Sequence, residues 1–359
     1  MPGRPGLYIM EVMDGFRPRA RLLWMLPACL VALSGLWQCA PAGPSSAPAL
    51  VTRTQMHMGT LVTITGVAPD EAVAQRAVVA GFAEVRRLDA LLSTWIPTSE
   101  LSRVNTAAGQ GAVPVSPDTF ELVARSLDIA AVTDWGLNIA IGPAVETWSV
   151  TERMHVPTAD ELAALKPIVD LSRIHLDPTA RTIRLEQAGM RIDVGGIGKG
   201  FAADRAVAVM RAAGASAGVV ALSGDIRTFG RLPEGARFRF GIQHPRRPEA
   251  VLASLELENE AISTAGDYER YFEREGVRYH HILDPATLQP SRLCQSVTIV
   301  ATDGITADGL DTGIFVMGPE RGMALIEQLP DVEGVIVDRT GRVLISSGLR
   351  SRLRMESSP

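Results

Sequence analysis

Residues 190–206 read MRIDVGGIGKGFAADRA: an apolar run closes on Asp193 and Val194, four glycines crowd into the next six positions, and a helix-forming stretch follows at once. Few patterns restrict a fold as strongly. Glycines at this density let the main chain turn sharply and approach another backbone or an anion, and the first N–H groups of the following helix have no partner within it. Two familiar phosphate loops are excluded by spacing. A G-x-G-x-x-G fingerprint counted from Gly196 and Gly198 puts Phe201 at the third glycine, and a Walker loop would need Ser or Thr after Gly198-Lys199 and glycine at Asp193.

The 359 residues, 46% hydrophobic and 21% charged, suit one large globular domain or two intimate ones. A net charge of -5 with no basic run beyond the N-terminus argues against a nucleic-acid partner and for small molecules or proteins. Lys166 and Lys199 are the two lysines in the chain, and one of them sits inside the glycine cluster.

Arg17 to Arg21 precede an apolar run from Leu22 to Trp37, short for a membrane span and broken by Pro27, and a Pro/Ala/Ser-rich stretch follows. The expectation is an export signal over 1–39, a linker over 40–52 and one domain over 53–359. Met13 is an alternative start with a more ordinary charged region. Leu36-Trp37-Gln38-Cys39 is similar to a lipobox, with Gln38 larger than the usual residue, and Ala40-Pro41-Ala42 offers ordinary cleavage. The two routes predict a lipid-anchored protein at the periplasmic face of a bacterial inner membrane or a soluble periplasmic one. Cys29 and Cys39 belong to the leader, so Cys294 has no disulfide partner in the mature chain.

Alternation in Thr60–Val67 reads as a strand, and Val78, Phe82, Val85, Leu88 and Leu92 share one face of the helix that follows. Ser116-Pro117 and the Thr158/Glu161 pair are helix starts. A helix over 200–213 stops at Gly214, and strand-like pieces then dominate, with helices at TADGLDTGIFVMG (306–318) and about 320–329 between them. Helices and strands alternate without a regular βαβ beat, so the fold class expected is α+β.

In ADGLDTGIF, Asp308 and Thr312 are one helical turn apart, giving a carboxylate and a hydroxyl on one face that suit a hard cation such as magnesium, with Asp311 as accessory. The alternative is that Asp308 favours a helix N-terminus and Thr312 is simply buried. The glycine cluster offers a backbone carbonyl to the same ion and N–H groups to a pyrophosphate. His280 and His281 alternate on a strand, one facing inward and one outward; a histidine beside a metal-bound pyrophosphate can accept a proton from a hydroxyl, and the bland alternative is a strand end with one satisfied imidazole. Met58 and Trp95 lie in turn-rich surroundings that suit a flat heterocycle, whereas Trp135 and Trp148 default to the core.

From Met58 onward the chain carries, in order, MGT, LSTWIPTSELSRVN, GLNIAIGP, IDVGGIGKGFAADRA, SGDIRTFG, AISTAGDYERYF, HHILDPATLQP and ADGLDTGIFVMG. Together these resemble the ApbE family of flavin transferases. The resemblance implies a T-fold-like α+β architecture of mixed or antiparallel sheets with packed helices and a central FAD cleft. It also implies magnesium-dependent transfer of FMN from FAD, the substrate, to a threonine of an acceptor flavoprotein bearing a D-G-x-T-G-A-T-like site, with release of AMP. It assigns the magnesium ligands to Asp308, Thr312 and the Gly196 carbonyl, and hydroxyl activation to His281, so that His281 and Asp308 are the catalytic pair. The FAD site would be lined by Met58, Trp95, Gly136, Leu137, Asn138, Asp193, Lys199 and Ile282, with Asp267 a weaker candidate for positioning substrate or acceptor. The chain departs from the family pattern at Trp95 (usually Tyr), Asn138 (usually Asp), Ala265 (usually Ser) and Leu288 (usually Gly). Two rival functions share these residues: an FAD pyrophosphatase yielding FMN and AMP, and a non-catalytic exported FAD-binding protein.

Overall fold

The computed structural model describes residues 48–356 and the dipeptide Leu7–Tyr8, which pairs with the strand Phe238–Gln243. Apart from that dipeptide, the expected export signal lies outside the described residues, as does the first part of the linker.

One sheet organises the rest. Its eight strands are β1 (Ala49–His57), β2 (Thr60–Ala68), β3 (Ala217–Leu222), β4 (Asp225–Phe229), β5 (Ala261–Gly266), β6 (Cys294–Ala301), β7 (Glu333–Asp338) and β8 (Val343–Ile345). They lie side by side in chain order, every neighbour antiparallel. β1 begins before the expected domain start at residue 53, because its pairing with β2 runs unbroken from Ala49 opposite Ala68 to His57 opposite Thr60; residues 49–52 are therefore sheet, not linker.

Both faces of this sheet are covered, which explains why several strands read as continuous apolar runs. In β3, Val220 and Leu222 join the helix-side core, whereas Val219 and Ala221 join a second core beneath the hairpin Phe238–Gln243/Val251–Leu257 and the side chains of Leu349 and Leu353. Four helices build the first layer: α1 (Glu71–Leu92), α2 (Pro117–Val132), α3 (Gly198–Ala212) and α4 (Gly304–Met317). The expected apolar stripe of α1 is buried, and Asp70 caps its start by accepting from the Val73 N–H at 2.8 Å. Ser116 caps α2, and Thr158 with Glu161 forms the reciprocal box at the head of Ala159–Leu165. A third apolar cluster gathers around Trp148. No described helix is long and apolar enough to cross a membrane.

The starts of α3 and α4 meet. Ile197 precedes α3 and supplies no capping side chain; Asp308 of α4 instead accepts from the Gly200 N–H at 2.8 Å. Asp204 of α3 returns the service, accepting from the N–H groups of Gly304 (2.8 Å) and Ile305 (3.0 Å). Each helix thus neutralises orphan donors of the other. The approach requires glycine on both sides: a Cβ on Gly304 would lie 2.5 Å from the Gly200 carbonyl oxygen, and one on Gly200 would lie 2.8 Å from Asp308 Cβ.

Candidate active site

Where α3 and α4 converge on β4 and β5, three buried carboxylates collect. Asp225, Asp308 and Asp311 each bring an oxygen within 4.8 Å of the others. Lys199, the second residue of α3, pairs with Asp225, and the Ser263 hydroxyl of β5 lies between Asp225 and Asp311 Oδ2 (2.5 Å), its one proton available to either carboxylate. Burial raises the Asp308 carboxyl above the usual carboxylate range, reinforced by the charge on Asp225 and opposed by Lys199. Asp311 is likewise raised well above that range, by burial and by the charges of Asp308 and Asp225. Burial works against the Lys199 ammonium, but the neighbouring Asp225 and Asp308 outweigh it and hold the group charged.

Ionised together, the three carboxylates would carry two more charges than the one ammonium offsets, and a doubly charged cation would balance them, opposing the upward shifts of Asp308 and Asp311. Hard oxygen donors at this spacing fit a divalent ion such as magnesium. Of the expected ligands, Asp308 belongs to the cluster. Thr312 adjoins it, its hydroxyl donating to Asp311 Oδ1 at 3.2 Å. The Gly196 turn abuts Thr312 so closely that a Cβ on Gly196 would lie 2.9 Å from Thr312 Oγ1. Asp311, expected only as an accessory, is a full member, and Asp225 was not expected at all.

The glycine turn is fixed from two sides. Asn105, buried, clasps the Ile192 backbone, its Nδ2 donating to the carbonyl at 3.0 Å and its Oδ1 accepting from the N–H at 2.7 Å. One residue on, the Asp193 N–H donates to the Ile139 carbonyl at 2.8 Å, and the Asp193 carboxylate accepts from Gly195 at 2.8 Å. Asn138 caps the short helix at Ile139, so its Oδ1 is committed to the Ala140 N–H. Leu137 is buried, and Gly136 passes against the backbone of Gly313 in α4. Asn105 stood in view inside LSRVN; its signal was a polar residue on the helical face shared by Leu101 and Val104.

The two histidines divide as expected. His280 is buried: its Nε2 donates to the Ser291 carbonyl at 2.7 Å, its Nδ1 accepts from the Ile282 N–H at 3.3 Å, and its ring meets Phe315 edge-on. Burial lowers its pKa to about 4. His281 follows at the bend, half-buried. The Arg270 carbonyl accepts both its backbone N–H (3.1 Å) and its Nδ1–H (3.2 Å). Because a carbonyl only accepts, Nδ1 carries the proton and Nε2 keeps a free lone pair. Burial, followed by the positive charge of Arg270, holds His281 well below the ordinary imidazole range, and Lys199 acts in the same direction. Ile282, next in sequence, is buried.

Other expected residues stand apart. Met58 is half-buried with φ 49°, its N–H on Asp89 of α1 at 3.0 Å, and Trp95 is 78% exposed. Among the described residues no hydrogen bond or ion pair joins either to the carboxylate cluster. Asp267 is engaged within the fold: Arg246 holds it through two bonds of 2.6 and 2.7 Å, with Arg278 at 3.5 Å. Trp148 is core, donating through Nε1 to the Leu288 carbonyl at 2.7 Å, but Trp135 is 53% exposed. Consecutive left-handed residues Asp134 and Trp135 turn that indole outward.

A profile of the ApbE family matches residues 58–336. An FAD:protein FMN transferase of Klebsiella pneumoniae is 32% identical over 297 residues, 82% of this chain and 91% of that protein. One of Treponema pallidum is 30% identical over 352 residues, 92% and 96% of the two chains. Among solved structures, the ApbE protein of Thermotoga maritima is similar with a TM-score of 0.78 at 28% identity, covering 85% of this chain and 99% of that one. The flavin transferase ApbE from Vibrio cholerae gives 0.75 at 28% identity, again over 85% and 99%. The chain belongs to the ApbE family.

Proposed function

We propose that this protein is an exported FAD:protein FMN transferase, moving the FMN half of FAD onto a threonine hydroxyl of an acceptor flavoprotein and releasing AMP. The observation that carries the proposal is a neutral imidazole with a free Nε2, His281, electrostatically coupled to a lysine that anchors a buried carboxylate cluster. The names of the relatives supply the reaction.

In this reading Nε2 of His281 takes the hydroxyl proton as the oxygen forms its bond to the FMN phosphorus. The phosphorus–oxygen bond to AMP breaks, AMP leaves with the bridging oxygen, and the imidazolium returns the proton to solvent. The Arg270 carbonyl keeps the imidazole in the required tautomer. Lys199 supplies positive charge to the negative pyrophosphate, while the first N–H groups of α3 are spent on Val194 and Asp308. A magnesium ion held by Asp225, Asp308 and Asp311, with the Gly196 carbonyl and Thr312 adjoining, would supply charge neutralisation at the phosphoryl oxygens. Met58 and Trp95 would cover the flavin, and Gly136, Leu137, Asn138, Asp193 and Ile282 would line the rest of the FAD cleft.

The test is mass spectrometry of an acceptor domain incubated with the protein, FAD and magnesium, with AMP quantified in parallel. A gain of one FMN on a threonine peptide, matched by AMP, is expected, and His281→Ala should slow it by roughly 10²–10⁴-fold with FAD binding retained. Free FMN with AMP and acceptors left unmodified would identify a pyrophosphatase; tight FAD binding with no AMP would identify a binding protein.

A further inference from the structure

One oxygen in the carboxylate cluster belongs to no acid and yet touches two of them. Ser263 is fully buried, and its hydroxyl lies between Asp225 Oδ1 and Asp311 Oδ2. Strand register puts it there. β4 and β5 pair with Ala261 opposite Arg227 and Ile262 opposite Ile226, so Ser263 and Asp225 are the next residues to face each other, with side chains on one face of the sheet. Ala261 and Ala265 share that face with Ser263 and pack into the helix-side core, so Ser263 brings the one hydroxyl that this face of β5 offers.

The three acids come from two elements. Asp308 and Asp311 are three residues apart on α4, so the helix itself fixes their spacing. Asp225 comes from β4, and nothing in its local chain sets its distance from α4. Side chains do so instead. Lys199 holds Asp225 Oδ2, and Ser263 meets Oδ1 and, 2.5 Å away, Asp311 Oδ2. Thr312 takes the remaining oxygen of Asp311. Through one atom Ser263 therefore joins an acid of the sheet to an acid of the helix. Magnesium is exacting about the arrangement of its oxygens, so a site shared between two elements depends on such a tie.

We propose that Ser263 is a positioning residue for the divalent cation, its hydroxyl holding Asp225 and Asp311 at the separation the ion requires. The inference rests on the magnesium reading. Ser263 takes no part in bond making; it keeps two like-charged groups from turning apart before the ion arrives, so that less order has to be created on binding. Loss of a group that orients metal ligands typically costs about 10–100-fold in metal affinity.

Thermal unfolding of the unaltered protein and of Ser263→Ala is recorded at rising magnesium concentration, with and without FAD. Alanine suits the strand, since both neighbours on that face are alanine already. The expected result is a half-saturating magnesium concentration raised about 10–100-fold in the variant, each protein being referred to its own unfolding temperature without the ion. Ser263→Cys, a weaker donor of similar shape, should shift it in the same direction and carries the test if the alanine variant does not fold. An unchanged magnesium requirement would overturn the proposal, whether or not the ion-free variant unfolds earlier, and would mark a serine that only satisfies buried oxygens. No response of the unaltered protein to magnesium in either condition would instead sink the magnesium reading, and the serine's role with it.

Discussion

His280 and His281 are neighbours with opposite duties, separated by where their two ring nitrogens point. Both nitrogens of His280 are occupied by backbone groups, so the neutral ring is a structural member, and protonation would turn its acceptor nitrogen against the Ile282 N–H. Its folded pKa is lowered to about 4, whereas the unfolded chain takes up the proton near 6.5. Its contribution to stability is therefore complete above about pH 6.5 and is lost as pH falls toward 4. At 1.36 kcal/mol per unit the loss reaches at most about 3 kcal/mol. Urea unfolding of the protein and of His280→Gln at pH 7 and pH 4.5 checks this: the difference in stability between the two should shrink on acidification. A constant difference would mean that the ring is not held neutral. Leu288, standing where the family pattern has glycine, shows a different compromise: it adopts φ 58°, yet its side chain is fully buried in the Trp148 cluster, so packing offsets a left-handed backbone.

At the level of elements, the site is the junction of two helix starts. α3 and α4 exchange capping carboxylates, and Asp308 is at once a cap for α3 and a member of the acidic cluster. Gly200→Ala should therefore separate the helices, since the new Cβ meets the Gly304 carbonyl and Asp308. Overpacking of this kind costs typically 1–3 kcal/mol. Transferase activity should fall by more than that destabilisation accounts for, because Lys199 and Asp308 move with the helices. Activity per folded molecule, measured well below the unfolding temperature, decides it; a variant as active as the parent would show that the junction tolerates the displacement. Much of this junction was legible. Asp308 and Thr312 announced themselves by one-turn spacing, and the glycines announced a close approach. Asp225 did not, because its membership depends on β4 lying beside β5, and no local periodicity encodes which strands become neighbours. Asn105 was hidden for the same reason: its partner, Ile192, is distant in the chain.

For the whole molecule, local signals located most strands and the main helices, and the α+β class followed from their irregular order. The single sheet did not follow, since apolar runs such as SVTIVA show that both faces are buried but not what covers them. The chain-order arrangement of β1 to β8 also has a kinetic consequence. Each strand joins the one before it, so assembly is a series of loop closures of very unequal length. β5 and β6 are joined across residues 267–293, whereas β2 reaches β3 only after residues 69–216. In a flexible-chain estimate the longer closure costs roughly 1.5 kcal/mol more, and non-local pairings form late. Pulse-labelled hydrogen exchange during refolding should find amides of β5 and β6 protected before those joining β2 to β3; simultaneous protection would show that the long insert folds first and brings its ends together. Because the glycine turn and α3 lie inside that insert, while Asp308 and Asp311 lie beyond β6, the active site is completed only when the slowest seam of the sheet closes, and a chain arrested before that step would have formed much of its sheet without becoming an enzyme.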